Sequence, residues 1–261
     1  MLKVRVIPTL LWKNFGLVKG VSFDSWRRVG PVLPALKVYN QREVDELILL
    51  DIDSNKSGEE PDFNSVEEFS HECFVPLTVG GGIVNIHQVQ KLLRVGADKV
   101  SINTEAYARP ELVNEIAKRH GSQCIVASID VRKHAEGKWI CYSHSGKQST
   151  GYDVLAWARE LESRGAGEIL VTSIDKDGTF EGYDLKLIES VVREVSIPVI
   201  ASGGAGTYTH MVEAVTRAGA SAVAAASIFH YTEMTPAGAK AALHAAGIPI
   251  RVPFKCGHKY T

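Results

Sequence analysis

Apolar residues along this chain fall in short runs, separated by longer stretches in which they recur every three or four positions. Runs rich in Val, Ile and Leu cover 4–9, 46–51, 75–79, 99–102, 124–129, 168–172, 199–201 and 222–225. They do not alternate strictly with polar residues, which is the pattern of parallel strands buried on both faces. Between them the spacing predicts helices over 34–39, 66–73, 86–95, 110–120, 154–164, 185–195, 208–218 and 235–246. Eight strand–helix units in about 250 residues fit a closed (β/α)8 barrel, an α/β fold. The alternative is an open doubly wound sheet, which should show one phosphate crevice at its switch point.

One piece of the pattern occurs twice. Residues 75–83 read VPLTVGGGI and lead to GADKVSINTE at 96–105; residues 197–206 read IPVIASGGAG and lead to AGASAVAAASIF at 218–229. Pro76 falls on Pro198, Gly81 and Gly82 on Gly203 and Gly204, and Asn103 and Thr104 on Ala226 and Ser227. A strand that closes on two glycines lets the backbone approach an anion, and the next helix offers N–H groups and a positive dipole end. Two such places suggest a ligand with a phosphate at each end. The plainer alternative is that the glycines only make tight turns. Two sites half a chain apart favour the barrel over the open sheet.

The repeat reaches the other strands. Residues 45–53 (DELILLDID) echo 167–175 (GEILVTSID), and 4–11 echo 123–130, which sets Leu11 against Asp130. The expectation is one barrel over 1–251 built from half-barrels of about 1–121 and 122–250, with a tail at 252–261 that is disordered or faces a partner. Such barrels carry their active sites at the C-terminal strand ends. Two connections, 12–32 and 131–150, are long enough to be lids or binding segments. In the second, SHSGKQS at 143–149 either closes over a ligand or forms a solvated hairpin. Trp12 and Trp26 in the first are either ligand or partner contacts, or local packing.

Composition narrows the function without naming it. A net charge of −1 lends no support to nucleic-acid or membrane binding. No apolar run approaches the roughly 18 residues of a membrane span, and the N-terminus leads straight into a strand. The four cysteines, Cys73, Cys124, Cys141 and Cys256, form no CxxC pair and read as reduced thiols in a cytoplasmic protein. Nine histidines show no HExxH or other metal-ligand spacing, so no metal site is expected. His230 is read as part of the last barrel loop, and no Ser-His-Asp arrangement is signalled.

The runs LVKGVSF, PLTVGGGI, GADKVSINT, GSQCIVASID, LVTSIDKDGT, IPVIASGGAG and AASIFH strongly resemble the cyclase subunit of imidazole glycerol phosphate synthase, the HisF family, over nearly all of 1–251. The resemblance implies a glutaminase partner on the N-terminal face of the barrel and ammonia passing through it to a bisphosphorylated substrate at the C-terminal face. It implies no cofactor. Gly82, Asn103 and Thr104 match one phosphate site of that family; Asp177, Gly178, Gly203, Gly204, Ala226 and Ser227 match the other. Asp130 matches one of two catalytic aspartates, and Lys19, in the family's mobile loop after the first strand, is taken with it as a catalytic residue. Asp51, Thr172 and Ser202 match polar residues lining the pocket. On the opposite face Arg5, Glu46, Lys99 and Glu168 match the charged ring at the ammonia entrance, and Asp98 and Gln123 match the partner-facing surface. An ionic plug that closes the barrel bottom is the structural alternative for the ring.

The departure lies at the end of the first strand. The family reads Cys-Leu-Asp-Val where this chain has Thr9, Leu10, Leu11 and Trp12. Leu11 neither donates nor accepts a proton, so one half of the acid–base pair is missing. Further on, an Asp of the family becomes Asn14, and residues 25–39 depart from the usual run. VRVIPTLL and SWRRVG resemble a HisF-like branch found in bacterial surface-polysaccharide loci, where the barrel pairs with a glutaminase and a separate sugar amidotransferase and is implicated in making an acetamidino sugar. That resemblance implies an ammonia-supplying subunit. The intact phosphate positions and Asp130 keep the cyclase-lyase of histidine biosynthesis as the alternative.

Overall fold

A computed structural model describes residues 3–13, 16–53 and 60–251; Asn14 and the tail, including Cys256, lie outside them. Its first half contains strands β1 (Arg5–Lys13), β2 (Gly16–Val21), β3 (Asp24–Gly30), β4 (Leu47–Asp51), β5 (Leu77–Gly80) and β6 (Lys99–Ile102). Its second half contains β7 (Ile125–Lys133), β8 (Trp139–Ser143), β9 (Gln148–Asp153), β10 (Glu168–Ser173), β11 (Val199–Ser202) and β12 (Ala222–Ala225). Eight of these pair in parallel around a closed ring, β1-β4-β5-β6-β7-β10-β11-β12 and back to β1. The molecule is a (β/α)8 barrel.

The helices between the strands start where short polar side chains cap them. Asn85 accepts from the Gln88 amide, Asp153 from Leu155 and Ala156, Asp184 from Leu187, and Thr207 from His210. Each cap satisfies a backbone N–H that has no partner inside its helix. Outward-facing strand residues such as Val6, Leu10 and Trp12 join the helices in the main core, while Ile7, Ile48, Val126, Leu170 and Ile200 fill the barrel interior, each at most 1% exposed. Trp12 packs edge-on against Phe69 with ring centroids 5.3 Å apart, which identifies it as packing.

Strand register repeats between the halves. Leu11 pairs with Leu50 as Asp130 pairs with Thr172; Ile7 pairs with Ala224 as Val126 pairs with Ser101; Leu47 pairs with Leu77 as Ile169 pairs with Val199. Leu11 and Asp130 therefore occupy equivalent positions, on strands that face each other across the barrel.

The described residues of the two long connections form antiparallel ribbons, where the pattern gave no strands. β1 runs on to Lys13 and is met by the antiparallel pair β2–β3; β7 runs on to Lys133 and is met by β8–β9. Both ribbons project from the C-terminal end of the barrel. Two helices of five residues, Thr104–Ala108 and Ser227–Tyr231, also escaped the periodicity because one turn shows no repeat. Among the described residues, no helix is long and apolar enough to cross a membrane.

Candidate functional site

At the C-terminal end the strands surround a cavity of about 300 Å³. Leu11, Lys19, Asp51, Gly82, Asn103, Thr104, Asp130, Thr172, Asp177, Gly178, Ser202, Gly203, Gly204, Ala226 and Ser227 all line it. Every residue that the resemblance matched to a catalytic, phosphate or pocket position on this face thus lines one cavity.

The glycines have a local cause. Gly81 has φ +109°, and a Cβ there would lie 2.1 Å from the carbonyl oxygen of Asp51; Gly203 has φ +88°, and its Cβ would lie 2.6 Å from that of Ser173. Asp51 and Ser173 are equivalent in the repeat, so one close backbone approach is built twice. No other residue type tolerates both the left-handed φ and the contact. This approach alone accounts for the two glycines, and it also opens the strand ends toward the cavity.

Asp130 is buried in the wall, and its Oδ2 accepts a 2.7 Å hydrogen bond from Asn103 Nδ2. Burial pushes its carboxyl up to about 7; the Asn103 bond works against this, and the negative charge of Asp177 adds to it. A carboxyl in that range exchanges protons near neutrality, as a general acid or base requires. Across the barrel, Leu11 offers only methyl groups.

Lys19 lies in β2, its ammonium 2.5 Å from Asp177 Oδ2 and almost wholly buried. The first ribbon is further tied to that loop by the Ser22 amide on the Asp177 carbonyl oxygen, 2.8 Å. The second ribbon docks on the other side: the His144 amide donates to Thr104 Oγ1 at 3.1 Å, and Ser145 Oγ to the Ile52 carbonyl oxygen at 3.5 Å. Residues 143–149 are therefore a hairpin, and His144 and Ser145 at its tip line the cavity. Phe23 and Trp26 line the cavity from the first ribbon, so Trp26, unlike Trp12, faces it. Thr9, Ser101, Ser128 and Phe23 escaped the reading as site residues. Thr9 was legible only by parity, as the residue two positions before Leu11.

At the N-terminal end Arg5, Glu46, Lys99 and Glu168 close a ring. Arg5 Nη1 lies 2.7 Å from Glu46 and 2.9 Å from Glu168, and Lys99 Nζ lies 3.2 Å from each. Burial would lower the Arg5 pKa, but Glu168 and Glu46 outweigh it and raise it. Asp98 and Gln123 are exposed on the same end; the Asp98 carboxylate accepts the Leu77 amide at 2.8 Å and Gln123 donates to the His120 carbonyl. Among the described residues, no cluster of three or more His, Cys, Asp or Glu is arranged to hold a metal ion.

The family model for histidine biosynthesis proteins matches residues 5–235, nearly the whole barrel. The chain belongs to this family. Together with the eight-stranded parallel barrel, the match fits a HisF-like protein. In this chain the cavity and the ionic ring occupy opposite ends of one barrel, with the apolar layer of Ile7, Ile48, Val126, Leu170 and Ile200 between them.

Proposed function

We propose that this chain is the barrel subunit of a glutaminase-coupled complex, binding a phosphorylated ligand at its C-terminal end and delivering ammonia for amidotransfer to an acetamidino sugar of a surface polysaccharide. A separate sugar amidotransferase then carries the chemistry on the sugar. The observation that carries this reading is Leu11, at the position of the first half equivalent to Asp130 in the second, where an acid–base partner would be needed. Loss of one general acid or base typically costs about 10²–10⁴-fold in rate. Gly82, Asn103 and Thr104 would hold one phosphate; Asp177, Gly178, Gly203, Gly204, Ala226 and Ser227 would hold the other, with the catalytic candidate Lys19 paired to Asp177. Arg5, Glu46, Lys99 and Glu168 would form the ammonia gate, with Asp98 and Gln123 at the glutaminase interface.

A second reading, the cyclase-lyase of histidine biosynthesis, is favoured by one specific observation: the Asp130 carboxyl, pushed up to about 7. Complementation separates the two. A histidine auxotroph lacking its own cyclase is expected not to grow when this chain is supplied with a matching glutaminase. Growth at the rate given by an ordinary cyclase would establish the second reading instead.

A further inference from the structure

Two polar atoms at the cavity have no hydrogen-bond partner although both are buried: Thr9 Oγ1 and Asn103 Oδ1. Buried hydroxyls and amides in folded proteins are almost always satisfied, and each one that is not calls for an explanation. Thr9 is 8% exposed, and it lines the cavity together with Asn103. The fold places both side chains. Side chains of β1 alternate, so that Arg5, Ile7, Thr9 and Leu11 face the barrel interior while Val6, Leu10 and Trp12 face the helices. Thr9 therefore sits one layer beneath Leu11. Asn103 gives its Nδ2 to Asp130, which leaves its Oδ1 as an acceptor.

We propose that Thr9 is a specificity-determining residue, and that its hydroxyl and Asn103 Oδ1 read an uncharged hydrogen-bonding group, a hydroxyl or an amide N–H, in the middle section of the ligand. The proposal rests on the reading of the cavity as a site for a ligand with two phosphates. Its logic is the asymmetry of polar recognition. A site that hydrogen-bonds a ligand hydroxyl rejects the analogue lacking it, because its own buried group is then left unpaired. On this strand the inward positions have exchanged characters relative to an acid–base site: Leu11 carries no proton-transfer group, and the polar atom is the neutral hydroxyl below it. Such a wall selects a ligand without reacting with it.

Two probes of equal chain length test this: mannitol 1,6-bisphosphate, an open six-carbon chain that carries hydroxyls between its phosphates, and the bisphosphate of hexane-1,6-diol, which carries none. Binding of both is measured by calorimetry to the full chain, to Thr9→Val, which removes the hydroxyl at nearly constant shape, and to Thr9→Ser, which keeps it. The unaltered chain is expected to prefer the hydroxylated probe by about tenfold or more. Thr9→Val should lose most of that preference while holding the alkane probe as before, and Thr9→Ser should retain it. An equal preference in the unaltered chain and in Thr9→Val overturns the proposal. If neither probe binds, the two-phosphate reading fails, and thermal unfolding then decides on Thr9. A melting temperature unchanged or raised by Thr9→Val supports an unpaired hydroxyl facing a ligand site; a clear fall means the hydroxyl is satisfied within the protein and overturns it.

Discussion

The two halves of this barrel share a register but not a chemistry. At the end of β7, Asp130 is buried, bonded to Asn103 and held near neutrality; at the equivalent end of β1, Leu11 is half-buried and apolar. The backbone is conserved between the halves down to the glycine that approaches the strand-end carbonyl, Gly81 over Asp51 and Gly203 over Ser173. A barrel end can thus keep the framework of a two-sided site while one side loses its proton-transfer group. The shared approach of glycine to carbonyl and the buried carboxyl are set by different residues, and the carboxyl is present in one half alone at this position.

Making the halves alike should produce the largest effect. The Asp130 carboxyl stands at 3.8 in the ordinary state and about 7 in the fold, so between those values the folded chain holds a proton that the unfolded chain has lost. Stability contributed by this group is therefore full at low pH, falls as pH rises from about 4 to 7, and levels off above. At about 1.4 kcal/mol per pH unit, the loss reaches up to roughly 4 kcal/mol. Asp130→Asn is expected to remove that slope, which urea unfolding at pH 5 and pH 8 measures as a smaller difference than in the unaltered chain. Equal differences would mean that Asp130 is not held neutral by burial.

Restoring the missing group should have a smaller effect on stability. Leu11→Asp exchanges half-buried methyl groups for a carboxylate facing the cavity, with an expected cost of about 1–3 kcal/mol. The same variant should acquire measurable turnover on the bisphosphorylated substrate of the family when ammonium salts are supplied. A variant that folds with an unchanged denaturation midpoint and stays inert would show that the difference between the halves lies beyond position 11.

The barrel itself was legible because its strands are buried on both faces and so read as unbroken apolar runs. The run at 222–225 coincides with β12, and that at 99–102 with β6. The ribbons were not legible for the opposite reason. β3 (DSWRRVG) and β9 (QSTGYD) are largely exposed and carry no apolar alternation; they are strands because they pair with extensions of β1 and β7. The same cause hid part of the site. Lys19 was found by resemblance, but its partner Asp177 is 158 residues away and joins it only through the fold of the ribbon. Thr9 lay inside an apolar run, where a single hydroxyl reads as ordinary β-branched strand residue.

On the proposed reading Leu11 deprives this barrel of ring-closing chemistry, and the turnover of the unaltered chain measures that directly. It should be assayed on the family's bisphosphorylated substrate with saturating ammonium salts, which bypass any need for a glutaminase. The account predicts negligible cyclase activity, while Asp130 and the cavity remain in place. Activity within about tenfold of an ordinary family member, well inside the 10²–10⁴-fold cost of losing a general acid or base, would contradict it.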